Sequence, residues 1–118
     1  MNSLVLAYLG DSIYEVYVRT YLIEKNICKV NDLQKEAVNY VSARAQANYL
    51  KQMIDSNFLT EDELVIVKRA RNHKVISHPK NTDIVTYKLA TGLEALIGQL
   101  KIDNKNDRIE EIMKFILG

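Results

Sequence analysis

Apolar residues recur at the three- and four-residue spacing of an α-helix along most of the 118-residue chain. Only four glycines and one proline interrupt this pattern. It predicts five helices over residues 3–24, 33–40, 42–55, 60–69 and 81–101, and a sixth over residues 107–117. The chain is therefore expected to fold as an all-α helical bundle.

Residues that cap helix N-termini precede two of the predicted helices. Asn31 or Asp32 would cap the second helix. Thr60 and Glu63 have the spacing of a capping box, in which each side chain accepts a hydrogen bond from the other residue's backbone N–H. The fourth helix is therefore predicted to begin at Thr60.

The first predicted helix has a broad apolar face, which we expect to be buried. Its members are Leu4, Leu6, Leu9, Ile13, Val16, Tyr17 and Leu22. The tyrosines of this helix, Tyr8, Tyr14 and Tyr17, are likewise expected to pack against other helices.

The composition is that of a globular protein, with 47% hydrophobic and 26% charged residues. The lone cysteine, Cys28, has no partner for an internal disulfide, which favours a reducing, cytoplasmic setting. No apolar run reaches the roughly 18 residues of a membrane-spanning helix and no signal-like segment is present, so no membrane partner is expected. At this length we expect one domain over residues 1–118.

Two carboxylates stand inside helices that are otherwise apolar. Asp11 follows Gly10 in the middle of the first helix, although both residue types are poor helix formers. Glu94 lies in the fifth helix among residues that are expected to be core. Small residues near each acid would let the two helices cross closely, at Gly10 and at Gly92 or Ala95, and bring the two carboxylates together.

Two unpaired carboxylates at such a crossing would repel each other and lose hydration. A divalent cation between Asp11 and Glu94 would remove both costs, and oxygen ligands suit Mg²⁺ or Mn²⁺. The residues alone leave an alternative open, in which each acid forms an ion pair with a lysine or arginine. Glu15, one turn after Asp11, is a weaker candidate for an outer position around the metal.

Basic residues are concentrated at the end of the fourth helix and in the connection after it, although the net charge is only +1. The basic residues are Lys68, Arg69, Arg71, Lys74 and Lys80, and the polar Asn72 lies among them. Such a cluster suits contacts to RNA phosphates, and a basic loop that is merely solvated is the alternative. The connection 70–80 also carries the only proline, and long ordered connections are often functional.

Two segments resemble the signature motifs of the ribonuclease III family. Residues 9–13, Leu-Gly-Asp-Ser-Ile, are similar to the first motif, and residues 94–98, Glu-Ala-Leu-Ile-Gly, are similar to the second acidic motif. The two occur in order and at the right separation. Residues 14–19, 41–47, 69–72 and 79–83 further resemble the mini-ribonuclease III branch, which lacks the double-stranded-RNA-binding domain for which this chain has no room.

The resemblance implies that Asp11 and Glu94 are catalytic and hold Mg²⁺, with Mn²⁺ as a substitute, and that Glu15 and Thr91 lie around this metal. The larger family members carry two more carboxylates, at the positions of Ala7 and Thr91. The mini branch shares this departure, so we expect an active enzyme with one firmly held metal per site.

The resemblance also implies a homodimer that holds an RNA duplex in a valley, where each site hydrolyses one strand to a 5′-phosphate and a 3′-hydroxyl. Residues 68–80 would contact the duplex backbone. The expected substrate is precursor 23S ribosomal RNA, with a ribosomal protein or pre-ribosomal particle as a further partner. A catalytically inactive double-stranded-RNA-binding dimer is the alternative, and a helical protein–protein adaptor would leave the basic cluster unexplained.

Overall fold

The computed structural model describes residues 1–74 and 82–118, and the regular structure in these ranges is entirely helical. The helices are α1 (Ser3–Glu24), α2 (Val30–Val41), α3 (Ala43–Asp55), α4 (Glu61–Arg71), α5 (Ile84–Ile102) and α6 (Asn106–Leu117). The predicted all-α fold is thereby confirmed. In the described ranges, no helix combines the length and the apolar character that crossing a bilayer requires.

Helix α5 is the centre of the bundle. It is buried on nearly every side because α1, α3, α4 and α6 all pack against it, while α2 packs on α1 and α3. Leu93, Leu96 and Ile97 of α5 are completely buried. Full burial of one such side chain stabilises a fold by roughly 1.5–3 kcal/mol. A charged residue in this helix therefore needs a specific explanation.

Glycines determine how closely α1 and α5 approach each other. A Cβ atom added at Gly10 would overlap the backbone carbonyl of Glu94, and one added at Gly98 would overlap that of Leu6. The two backbones touch at these points, which only a residue without a side chain allows. Of the two crossing positions predicted on α5, Gly92 was wrong, because this glycine faces α3 and α4 instead. The alternative, Ala95, packs with Leu6 and Ala7 of α1.

The buried face of α1 is narrower than predicted. It consists of Ser3, Leu6, Ala7, Gly10, Tyr14, Val18 and Leu22. Leu4 and Val16, which we expected in the core, are 42% and 63% exposed, and Tyr8 is 84% exposed. The close approach of α5 over small residues decides which side of α1 is covered, and it leaves apolar side chains on the other side.

Two helices begin more than one residue away from their predicted starts. α2 begins at Val30, so the expected caps Asn31 and Asp32 lie inside its first turn, where an acid interacts favourably with the helix dipole. α5 begins at Ile84 because Asp83 caps it, accepting a hydrogen bond of 2.9 Å from the backbone N–H three residues on. The predicted start at residue 81 or 82 was too early, and residue 81 itself lies outside the described residues.

Glu63 joins α4 to α6. The predicted capping box is confirmed, with hydrogen bonds of 2.9 Å from the Thr60 N–H to Glu63 Oε1 and 3.2 Å from the Glu63 N–H to Thr60 Oγ1. Arg108 donates from Nε and Nη2 to the same carboxylate at 2.8 Å each. Arg108 Nη2 also donates to the carbonyl of Phe58 at 2.6 Å. Although Glu63 is only 5% exposed, its charge is fully compensated.

Candidate active site

Asp11 on α1 and Glu94 on α5 stand where these helices approach most closely. Because Gly10 touches the backbone of Glu94, the next residue of α1 is held beside that glutamate. The two carboxyl groups lie within hydrogen-bonding reach of each other. Asp11 is exposed and Glu94 is half-buried, so the pair opens to solvent on one side. The fold brings together the two acids singled out in the sequence, and their catalytic role stays a prediction.

This pair is electrostatically unfavourable when both acids are ionised. Burial raises the pKa of Glu94 to about 9, and the neighbouring carboxyl of Asp11 is the next cause. Desolvation and a like charge both penalise the ionised form. Glu94 therefore retains its proton near neutral pH until a positive charge comes close.

No basic side chain compensates the two acids in residues 1–74 and 82–118. The ion pairs in these ranges are formed by Arg19 and Arg108, and their partners are other glutamates. The alternative in which Asp11 and Glu94 are neutralised by surface lysines or arginines therefore has no support in this part of the chain.

Gln46 on α3 is a third polar side chain at this place, and the sequence analysis missed it. Gln46 is 2% exposed, and its Nε2 has no hydrogen-bond partner of standard geometry among the described residues. It lies close enough to Glu94 to lower the pKa of that carboxyl, against the larger effect of burial. An unpaired buried amide costs roughly 1–3 kcal/mol. A signal was available, because Gln46 shares the buried face of α3 with Leu50 and Met53.

The donor set fits a hard divalent cation. Two carboxylates from different helices converge, and the orphan amide of Gln46 is a donor suited to an ionised carboxylate. Mg²⁺ and Mn²⁺ prefer oxygen ligands, and Mg²⁺ keeps several waters, so one or two protein carboxylates suffice to hold it. Within the described residues no group of three or more His, Cys, Asp or Glu side chains is assembled.

The basic residues surround the C-terminal end of α4, which extends two residues beyond the predicted end at residue 69. Lys68, Arg69, Arg71 and Lys74 are exposed, as is the neutral Asn72 among them, while Lys80 lies outside the described residues. Ala70, between the two arginines, packs with Leu6, Ala7 and Ala95 in a small buried cluster. The basic residues are thus anchored beside the first turns of α1, the helix that carries Asp11.

Comparisons with known proteins identify the family to which the chain belongs. The family described as Ribonuclease III domain matches residues 4–105. A Mini-ribonuclease 3 from Enterococcus faecalis is 44% identical over 117 residues, covering 99% of this chain and 89% of that protein. A Mini-ribonuclease 3 from Brevibacillus brevis is 50% identical over 113 residues, covering 96% and 83% respectively. The chain belongs to the ribonuclease III family.

A solved structure agrees with this assignment. The X-ray crystal structure of a protein from Fusobacterium nucleatum superimposes with a TM-score of 0.86 at 34% identity, covering 98% of this chain and 91% of that one. The two named relatives confirm the resemblance to the mini-ribonuclease III branch. As a member of the ribonuclease III family, this protein is an endoribonuclease.

The ribonuclease III domain here has no acid at the two positions where the larger members carry further carboxylates. Ala7 is one of them, and it is buried in the cluster beneath α4. Thr91 is the other; it is 7% exposed, and its Oγ1 donates a hydrogen bond of 2.9 Å to the carbonyl of Tyr87. That hydroxyl proton is therefore engaged, and a position of Thr91 around the metal stays a prediction.

Glu15 lies one turn beyond Asp11, near the pair of acids. Its Oε2 accepts a hydrogen bond of 3.2 Å from Arg19 Nε. It is near enough to Glu94 to contribute to the raised pKa of that residue, as the smallest of the causes. Its expected outer position around a metal stays a prediction.

Proposed function

We propose that this ribonuclease III family enzyme hydrolyses double-stranded RNA at a site formed by Asp11 and Glu94. The observation that carries the proposal is the convergence of these two carboxylates without a basic partner among the described residues. A pair of acids that repel each other is stabilised by a cation, and a metal cation can activate water for the hydrolysis of a phosphodiester.

Asp11 and Glu94 would together hold one Mg²⁺, for which Mn²⁺ can substitute. When bound, the metal supplies a water activated for attack and stabilises the charge that develops on the phosphodiester. Asp11, which is exposed, offers its oxygens from the solvent side, and Glu94 offers its oxygens from the buried side. In-line attack by water leaves a 5′-phosphate and a 3′-hydroxyl.

The exposed basic residues at the end of α4 would bind the phosphate backbone of the duplex. They are Lys68, Arg69, Arg71 and Lys74, assisted by the neutral amide of Asn72, with Lys80 proposed on its sequence position alone. A cluster that is exposed and anchored beside α1 supports this role, because double-stranded RNA is recognised mostly through its shape and backbone. No base-reading residue is then required.

A homodimer would supply two such sites to one duplex. The support is the apolar surface that α1 leaves uncovered, on which Val5, Tyr8, Val16 and Ile23 are between 54% and 84% exposed. A groove between α1 and α2 continues this surface past Ile23 to Val30 and Val38. Contiguous exposed apolar surface of this kind is typical of protein interfaces.

The biological setting extends the same proposal. We infer that residues 1–118 form one catalytic domain, that it works in the cytoplasm, and that its substrate is precursor 23S ribosomal RNA. A ribosomal protein or a pre-ribosomal particle would present that RNA. The single cysteine, exposed and unpaired, is compatible with a reducing compartment.

The test is cleavage of a long RNA duplex by the purified protein, with Mg²⁺ and with excess chelator. We expect fragments that carry 5′-phosphates with Mg²⁺, and none with chelator. Single-stranded RNA and duplex DNA of the same sequence are the matched controls. Retention of the duplex without cutting would favour the inactive binding dimer, and metal-independent cutting would contradict the site proposed here.

A further inference from the structure

Gln46 stands at the active site without a partner that would explain its burial. It belongs to the face of α3 that packs into the core, where Ala47, Leu50 and Met53 are all buried. Among the described residues, its Nε2 is the buried side-chain nitrogen or oxygen atom left without a hydrogen bond. An apolar residue of similar size would fill this position without that cost.

The surroundings of the amide identify what it is suited to bind. The neighbouring polar group is the carboxyl of Glu94 on α5, the helix against which α3 packs, and it lies within hydrogen-bonding reach of the Gln46 side chain. When Glu94 is protonated, one of its oxygens is itself a donor, so fewer positions can accept a hydrogen bond from the amide. When Glu94 is ionised, both oxygens only accept. The amide is thus complementary to the form of Glu94 that a metal requires.

We propose that Gln46 is a positioning residue, whose Nε2–H donates to one oxygen of the ionised Glu94 carboxylate and leaves the other oxygen directed toward Asp11. This inference rests on the proposed function, because it assigns Gln46 a role toward the metal that Asp11 and Glu94 would hold. A partner that orients a metal ligand in this way typically changes metal affinity or activity 10- to 100-fold when it is removed.

The experiment compares Gln46→Leu with the wild type by calorimetric titration of Mn²⁺ into the RNA-free protein. We expect Mn²⁺ affinity to fall by about 10-fold, and cleavage to need a correspondingly higher Mn²⁺ concentration. Gln52→Leu, an exposed glutamine on the same helix, is the matched control and should bind Mn²⁺ like the wild type. Gln46→Met, with a side chain of similar length, repeats the test if the leucine variant does not fold.

Two further measurements separate positioning from a structural role. In chelator, Gln46→Leu should unfold no more easily than the wild type, because the variant removes an unpaired amide. In a Glu94→Gln background, the same change should cause no further loss of Mn²⁺ affinity, since the two residues act as a unit.

The outcomes distinguish this inference from the function on which it rests. A folded Gln46→Leu protein with wild-type Mn²⁺ affinity would overturn the positioning role alone, provided that the wild type binds Mn²⁺ and cuts duplex RNA. Lower thermal stability in chelator with unchanged Mn²⁺ affinity would assign Gln46 a structural role instead. A wild type that binds no Mn²⁺ would overturn both proposals.

Discussion

Two glutamates, Glu63 on α4 and Glu94 on α5, are both withdrawn from solvent, but their surroundings are opposite. Glu63 receives two hydrogen bonds of 2.8 Å from Arg108 and one of 2.9 Å from the backbone N–H of Thr60. Glu94 faces the carboxyl of Asp11 and an amide without a regular hydrogen bond. The charge of Glu63 is thus compensated by residues of the same chain, whereas Glu94 has no basic partner in the described residues.

The pKa values of these two residues follow from that difference. Burial by itself would raise the pKa of Glu63. The pKa is nevertheless lowered below its ordinary value, because Arg108 supplies hydrogen bonds and a positive charge and Thr60 supplies further hydrogen bonds. Burial raises the pKa of Glu94 to about 9, and Asp11 adds to the effect. Desolvation is thus common to both, and the neighbouring charge decides the sign. A buried carboxylate that is paired with an arginine, such as Glu63, stabilises the fold. A pair of acids without a basic partner in the described residues, such as Asp11 and Glu94, is suited to the metal ion proposed above.

Replacing Asp11 by Asn should have the largest effect, on activity rather than on folding. It removes one carboxylate from the proposed metal site, and loss of several kcal/mol of transition-state stabilisation corresponds to a drop of about 1000-fold in cleavage. In chelator the variant should be about as stable as the wild type, because Asp11 is exposed and Asn has nearly the same shape. Single-turnover cleavage of duplex RNA and urea unfolding measure the two effects.

Asp55→Asn is the matched control for that variant, since Asp55 is an exposed acid at the end of α3. It should cut like the wild type. Full activity of Asp11→Asn with Mg²⁺ would refute the catalytic assignment of this residue. Failure of the variant to fold would refute the idea that Asp11, unlike Glu63, is not needed for stability.

Replacing Arg108 by Met should do the reverse, costing stability and sparing the metal. The change leaves Glu63 buried without its cation, and breaking such a pair costs about 3–5 kcal/mol. It also removes the hydrogen bond to the Phe58 carbonyl. Urea unfolding in chelator measures the loss, and Mn²⁺ affinity of the folded variant should be unchanged.

The exposed pair of Arg19 and Glu15 provides the control for this loss. Its side chains are 73% and 30% exposed, so Arg19→Met should change stability by less than about 1 kcal/mol. Equal losses for the two arginine variants would mean that burial does not distinguish the ion pairs, and the contrast drawn from Glu63 would fail.

The two glutamates should give opposite pH dependences in the metal-free protein. The pKa of Glu94 is raised from 4.5 to about 9, so between these values the folded state keeps a proton that the unfolded state has released. Its contribution to stability is present below about pH 4.5 and is lost as the pH rises toward 9. The pKa of Glu63 is lowered, so its contribution is present above about pH 4.5 and is lost as the pH falls.

Urea unfolding in chelator from pH 4 to pH 9 measures both trends. One proton changes stability by at most about 1.4 kcal/mol per pH unit. Glu94→Gln should remove the decline at high pH, and Arg108→Met should weaken the decline at low pH. A wild-type stability that rises steadily to pH 9 would contradict the raised pKa of Glu94.

The sequence predicted the meeting of Asp11 and Glu94 because each acid lies beside small residues in a largely apolar part of its helix. It could not determine which glycine of α5 meets α1. Gly92 and Gly98 point to different sides of a helix that is apolar all round, so no face is preferred until α3 and α4 are packed. The role of Gln46 depends on the same packing, because a glutamine in an isolated helix shows neither its burial nor its neighbour.

The smallest effect is expected for basic side chains that are exposed to solvent, namely Arg69, Arg71 and Lys74. Replacing all three by Gln should weaken duplex binding and reduce the slope of log affinity against log salt by about 2–3, since each neutralised phosphate contributes nearly one. Fluorescence anisotropy of a labelled RNA duplex in chelator, from low to high KCl, measures the slope without cleavage. Stability should be unaffected, since none of the three has an ion pair in the described part of the chain.

A second triple variant tests whether location or charge alone matters. It replaces Lys101, Lys105 and Lys114 by Gln. These three lysines are also exposed, and they lie near the end of α5, just before α6 and within α6. Net charge changes by the same amount, so an effect of overall charge would lower the salt slope equally in both variants. If only the first variant changes the slope, the end of α4 lies on the duplex; an unchanged slope there would remove it from the interface and leave its basic residues as a solvated surface.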